Sequence, residues 1–250
     1  MAVKVENISK SYGTNLILEK IDFEIHKNSI YCLVGRNGVG KTTLLNIISN
    51  LSQPDSGSVL INGLNYQKNE KSIKKILGLQ LNNDQLIPEL SLGEYLFFIG
   101  KIYQVQTADI YERIDLLTAY FFDPGEITGT KIENFSAGMK KKAMLCAALI
   151  HKPSVLILDE PFANLDPVTS ELLCQYLIRY KSGERIILIS SHDLLYVNKI
   201  GTHLGVLNNK SIIYNDSIES FKQTDQFIDK RLLELINNTA SKEDLIEKLI

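Results

Sequence analysis

Cysteine is scarce: three residues, Cys32, Cys146 and Cys174, are scattered through a chain of 250. That spacing offers neither a disulfide framework nor a metal-ligand pattern. The expectation is three small buried hydrophobes in a reducing cytosol. No uninterrupted apolar run approaches the roughly 18 residues that a membrane-crossing helix needs. The opening residues Met1-Ala2-Val3-Lys4-Val5-Glu6 carry charges where a secretory leader would be apolar. Net charge is only −2, so no broad field draws the chain to nucleic acid. No segment repeats. What is present is ordinary for a globular protein, 44% hydrophobic and 22% charged, in a length that buries a large core.

The pattern along the chain is mixed. Val3-Lys4-Val5 and Ile21-Asp22-Phe23-Glu24-Ile25 alternate with period two and read as strands. After the punctuation Pro54-Asp55-Ser56-Gly57, Ser58 to Gly63 reads as a strand ending in a turn. Ser91 to about Phe122 is helical, with a polar break around Gln104 to Thr107. Val155-Leu156-Ile157-Leu158 and Ile186-Ile187-Leu188-Ile189 are wholly apolar, as parallel strands covered on both faces are. Leu204 to Val206 and Ser211 to Tyr214 suggest a closing hairpin. Beyond Glu219 the chain is polar, with helical stretches expected over Arg231 to Ile236 and Lys242 to Ile250.

Residues 35 to 42 read Gly-Arg-Asn-Gly-Val-Gly-Lys-Thr, a complete G-x-x-x-x-G-K-S/T loop. The apolar run Ile30 to Val34 precedes it and Thr43-Leu44-Leu45-Asn46-Ile47-Ile48 follows. Strand, glycine turn and helix therefore stand in the order this phosphate-binding device needs. Gly35, Gly38 and Gly40 let backbone N–H groups converge on an anion, and the helix N-terminus adds its field. Lys41 can reach β- and γ-phosphates, and the Thr42 hydroxyl can ligate Mg²⁺. Asn37 and Thr43 lie within the same cradle. No Asn-Lys-x-Asp quartet accompanies it to select guanine; Asn209-Lys210-Ser211-Ile212 is the nearest failure.

Val155 to Pro161 reads Val-Leu-Ile-Leu-Asp-Glu-Pro, so a strand delivers Asp159 to its C-terminal edge, where ligands of open α/β sheets bind. Asp159 can hold Mg²⁺ opposite Thr42. Glu160 can polarise a water for in-line attack on the γ-phosphate. Upstream, Asn134-Phe135-Ser136-Ala137-Gly138-Met139-Lys140 opens a helix with Ser136 as a suitable N-cap.

Taken together these motifs resemble the ATP-binding cassette (ABC) family, in the family's order and over roughly residues 1 to 216. Phe135-Ser136-Ala137-Gly138-Met139 is similar to that family's Leu-Ser-Gly-Gly-Gln signature. The resemblance implies that Ser136 and Gly138 meet a γ-phosphate held by the opposite subunit of a head-to-tail dimer. It implies adenine stacking on Tyr12, a partner-contacting loop at Asn164-Leu165-Asp166-Pro167, and a switch histidine at His192. His26, His151 and His203 lack such context and read as structural. The family's glutamine ligand for Mg²⁺ and water maps onto Asn82 or Gln80. The spacing between Gly78 and Leu86-Ile87-Pro88-Glu89-Leu90-Ser91 favours Asn82.

The fold expected is α/β: a P-loop NTPase core with a mostly parallel sheet, an N-terminal antiparallel β subdomain and an inserted helical subdomain at about 84–140. The cassette should span 1–218 and a helical tail 219–250. The catalytic set expected is Glu160, His192 and Lys41, with Thr42, Asp159 and Asn82 as metal ligands. The implied function is ATP hydrolysis by the nucleotide-binding subunit of a transporter, most like the ABC-2 exporter class. Its implied partners are an integral-membrane subunit and a second cassette, with no nucleic acid. The chain would then sit on the cytoplasmic face of the membrane. The membrane partner's short helix is expected in a groove beside the segment after Asn82, near Tyr95, Phe97 and Phe98, which themselves read as core. The alternative is a soluble ABC ATPase such as the iron–sulfur cluster assembly ATPase.

Overall fold

The structure, a computed structural model, describes residues 2–81 and 86–222. Strands β1 (Ala2–Tyr12) and β2 (Asn15–His26) form an antiparallel hairpin whose inward residues, Val3, Val5, Ile8, Leu18, Ile21, Phe23 and Ile25, are all buried. The chain then crosses into a second sheet with β3 (Ser29–Val34), runs through helix α1 (Lys41–Ile48), and returns to the first sheet with β4 (Ser56–Ile61) and β5 (Leu64–Asn65). Helix α2 (Tyr66–Ile76) leads to β6 (Leu77–Gln80), at one edge of the second sheet.

Two helices come next, α3 (Leu92–Ile102) and α4 (Thr107–Phe121), on either side of the expected polar break. Ser91 and Glu94 form a reciprocal capping box that fixes where α3 starts. After α5 (Ala137–Leu149), the strands β7 (Val155–Asp159) and β8 (Ile186–Ser191) flank α6 (Pro167–Tyr180). Helix α7 (Leu194–Ile200), the hairpin β9 (His203–Asn208) and β10 (Ser211–Ser217), and α8 (Ile218–Lys222) complete the described chain. Ile218 and Phe221 are buried, so α8 belongs to the core it packs on. The tail helices expected after it, like Asn82, lie outside the described residues.

The second sheet has the order β10-β9-β3-β8-β7-β6, parallel except for the β9–β10 hairpin. Its strands feed two hydrophobic cores by strict alternation. Ile30, Cys32 and Val34 of β3 face helices α3 to α7, whereas Tyr31 and Leu33 face α1 and the antiparallel sheet. Leu156 and Leu158 of β7 divide from Val155 and Ile157 in the same way. This is the two-sided covering that the apolar runs predict. All three cysteines are buried and free, in line with their expected role as small core hydrophobes.

One histidine of the fold gives a stability prediction. The ring of His151 stacks on Tyr103 with centroids 3.6 Å apart. Its Nε2–H donates to the Leu77 carbonyl at 2.9 Å, while Nδ1 is buried without a hydrogen-bond partner. Burial lowers its pKa to about 4, against an upward pull from the Leu77 carbonyl. A histidine depressed in the folded state contributes stability that is full above its unfolded pKa. That contribution is lost as pH falls from about 6.5 towards 4. Denaturant melts at neutral and mildly acid pH should therefore show a flatter pH dependence for His151→Phe, by about 2 kcal/mol. Equal slopes for variant and parent would remove His151 from the acid response.

Candidate active site

The phosphate loop leaves the end of β3, which is buried along its whole length. Gly35 is required by space: a Cβ there would stand 2.5 Å from the Leu207 carbonyl oxygen on β9. Gly40 is required by conformation, with φ 115 at the N-cap of α1. The loop and first turn of α1, from Asn37 to Thr43, wall a cavity of about 310 Å³. Tyr12 and Ile17 enter it from the first sheet and Glu160 from the end of β7. Tyr12 is 54% exposed, which leaves a ring face open to a planar ligand.

Charges converge inside. Lys41 is buried, and its Nζ donates to the Gly35 carbonyl at 2.7 Å. The same ammonium lies 3.4 Å from Glu160 Oε1, an ion pair without a hydrogen bond. Glu160 Oε2 lies 2.9 Å from His192 Nδ1, so one carboxylate bridges the lysine and an exposed imidazole. Glu160 itself has φ +47, an uncommon conformation for a residue with a Cβ. Its N–H is held by Ser190, at 3.0 Å from the hydroxyl and 3.2 Å from the carbonyl.

Asp159 is fully buried, and its Oδ2 accepts from Thr42 Oγ1 at 2.8 Å. Its Oδ1 accepts a short hydrogen bond from Ser190 Oγ, a residue directly opposite it in the β7–β8 register. Its carbonyl accepts from Lys141 Nζ at 3.0 Å, a buried lysine on α5. Ser190 and Lys141 were not singled out by sequence. Ser190 had a usable signal in the Ser-Ser-His run; Lys141 had none. The chemistry of the donor set, the Thr42 hydroxyl of the cavity wall and the buried Asp159 carboxylate bonded to it, fits a hard cation such as Mg²⁺. Among the described residues no cluster of three His, Cys, Asp or Glu could hold a metal alone. The remaining oxygens would come from phosphate and water.

A second group of expected residues lies elsewhere. Ser136 caps α5 by accepting from the Met139 N–H at 3.2 Å, as its type predicts. Asp166 caps α6, and the Thr169 hydroxyl and N–H hold its carboxyl below the usual range. A Cβ at Gly138 would stand 2.8 Å from the Asn164 carbonyl oxygen, so the start of α5 abuts this same loop. Ser136 and Asp166 are exposed, and none of Ser136, Gly138 and Asp166 lines the phosphate cavity.

Gln80 ends β6 with its amide buried and neither polar atom hydrogen-bonded. It lines a separate groove of about 240 Å³, with Leu51, Tyr95, Tyr103 and Met144. Of the three aromatics expected in the core, Tyr95 is buried but Phe98 is 46% exposed, because the α3 turn carries it to the outer face. His26 is exposed, and His203 Nδ1 hydrogen-bonds the Thr202 hydroxyl at 3.0 Å, both outside the site.

No helix among the described residues is long and apolar enough to cross a membrane. The family described as ABC transporter matches residues 18–163. A linearmycin resistance ATP-binding protein of Bacillus subtilis is 31% identical over 84% of this chain and 68% of its own length. A lantibiotic transport ATP-binding protein of Streptococcus pyogenes is 28% identical over 92% of this chain and 97% of its own. Among solved structures, an ATP-binding subunit of an ABC transporter superposes with a TM-score of 0.87 at 25% identity, covering 95% of this chain and 100% of that one. With the loop, the acidic pair and the signature-like helix in the family's arrangement, this chain belongs to the ABC transporter family, as an ATP-binding and ATP-hydrolysing cassette.

Proposed function

We propose that this cassette powers export through a separate integral-membrane subunit, and that two cassettes must close on ATP for turnover. The division of the site carries this reading. The residues that would grip phosphate gather in one cavity, and Ser136, Gly138 and Asp166 lie on another surface of the same chain. A second copy, presenting that surface, would complete the cavity, as the family resemblance implies.

In this mechanism Tyr12 stacks on adenine, and the N–H groups from Gly35 to Thr43 with Lys41 hold the β- and γ-phosphates. Thr42 and Asp159, with Asn82 or Gln80, would hold Mg²⁺, which supplies charge neutralisation on the phosphates. Glu160 takes the proton of the attacking water, and His192, hydrogen-bonded to it, orients that water against the γ-phosphate. Ser136 and Gly138 of the second copy close over the same phosphate. Hydrolysis removes the anion that held the halves together, and the pair reopens.

The functions of the relatives, linearmycin resistance and lantibiotic transport, favour a transporter over the soluble assembly ATPase. The groove around the Gln80 amide supports docking of a membrane subunit beside the segment after Asn82. Beside that groove, exposed Phe98 and Ile102 on α3 extend an apolar surface for a partner. In this reading the cassette spans 1–218, with the helical insertion at about 84–140, and sits on the cytoplasmic face of the membrane. Affinity purification from membranes in mild detergent, with mass spectrometry of what co-elutes, tests it. A polytopic membrane protein is expected; recovery of a soluble scaffold complex instead would shift the assignment to the assembly ATPase.

A further inference from the structure

Between α4 and α6, away from the phosphate loop, lies a second cavity of about 460 Å³. That volume falls in the range of sites for small organic ligands, about 300–1,000 Å³. Leu117 and Leu149 belong to its floor. Tyr120 and Tyr180 offer only ring faces, because their hydroxyls donate to the Leu172 and Pro153 carbonyls at 3.0 and 2.8 Å. The charged residues of the lining are four cations, Arg113, Lys152, Arg179 and Arg185, and no carboxylate joins them.

Among the described residues, Arg113 alone of these cations has an ion-pair partner. Arg185 donates to the Tyr180 and Ser182 carbonyls, with its guanidinium 4.4 Å from the Tyr180 ring centroid. Arg113 donates to the Ile150 carbonyl at 2.9 Å and meets Asp109 only at 3.7 Å. Arg179 and Lys152 are exposed and have no ion-pair partner among the described residues. In a chain of net charge −2, a cluster of four cations around an apolar floor is a local inversion of the surface field.

We propose that this cavity binds one small soluble amphiphilic anion. Its aliphatic or aromatic body would rest on the leucine and tyrosine floor. Its carboxylate, sulfonate or phosphate would be held by the arginine rim, whose planar forks suit such groups. A ligand wedged there touches α4 and the last turn of α6 together, at the end of α6 opposite its Asp166 cap.

The test uses the full chain and the fluorescent probe 8-anilinonaphthalene-1-sulfonate. One equivalent is expected to bind and to be displaced by octanoate but not by octylamine. The double variant Arg179→Glu/Lys152→Glu, at two exposed positions, should weaken that equivalent at least about tenfold. Its melting temperature and basal ATP turnover should match the parent, and Arg179→Lys/Lys152→Arg should restore binding. Unchanged probe affinity in the charge-reversed variant, or equal displacement by octylamine, overturns the proposal. Cosedimentation with phosphatidylglycerol vesicles that needs the same cations, without a displaceable probe, overturns it in favour of a lipid surface.

Discussion

Glu160→Gln is expected to slow ATP turnover at least about a hundredfold while leaving ATP binding intact. A general base contributes typically 10²–10⁴-fold, and the amide has the carboxylate's shape without its basicity. The geometry explains why binding survives. The Glu160 carboxylate lies 3.4 Å from Lys41, the cation proposed to hold the phosphates. Neutralising it removes a competitor for that cation, so affinity should hold or rise. With hydrolysis blocked, the closed pair should accumulate, visible as an ATP-dependent shift to dimer in light scattering. A variant that hydrolyses at the parent's rate would displace Glu160 from its role. One that stays monomeric at saturating ATP would contradict the two-cassette site.

Lys41→Ala should do the opposite and lose the nucleotide itself. The buried ammonium is anchored to the Gly35 carbonyl at 2.7 Å, so it is held ready at the back of the cavity. Without it, Glu160 faces the incoming phosphates with no balancing charge. Loss of a charge-assisted contact of this kind costs about 3 kcal/mol, roughly a hundredfold in Kd. Calorimetric titration with ATP measures it, with a melting curve to confirm the fold. A change smaller than about threefold would mean that the loop's backbone N–H groups carry the binding alone.

The phosphate loop, the acidic pair and the signature-like helix start were legible because each is a short contiguous stretch. Their chemistry follows from residue type and local order. What escaped was set by distance along the chain. Ser190 reaches Asp159 only through the parallel register of β7 and β8, a relation between residues 31 positions apart. Lys141 looks like one charge in a basic helix turn, yet it is buried with its ammonium on the Asp159 carbonyl at the end of β7. Helix α2 was not read because it is polar, with Ile73 its one buried residue and a kink at Asn69. Its N-cap Asn65, accepting from the Lys68 N–H at 3.1 Å, was the available signal. Phe98 was misjudged for a related reason: composition marks an apolar cluster, but the helical turn decides which member faces outwards.

The Lys141 hydrogen bond also bears on timing. It ties the helix that Ser136 caps to the carbonyl of Asp159, so the element carrying the chain's exposed tip is hydrogen-bonded to the strand that ends at the phosphate cavity. In a head-to-tail pair, that tip would rest on the neighbour's nucleotide. Each chain would then sense the fuel gauge of the other engine through its own ignition, and the two would be expected to fire as an interlocked set rather than as independent units.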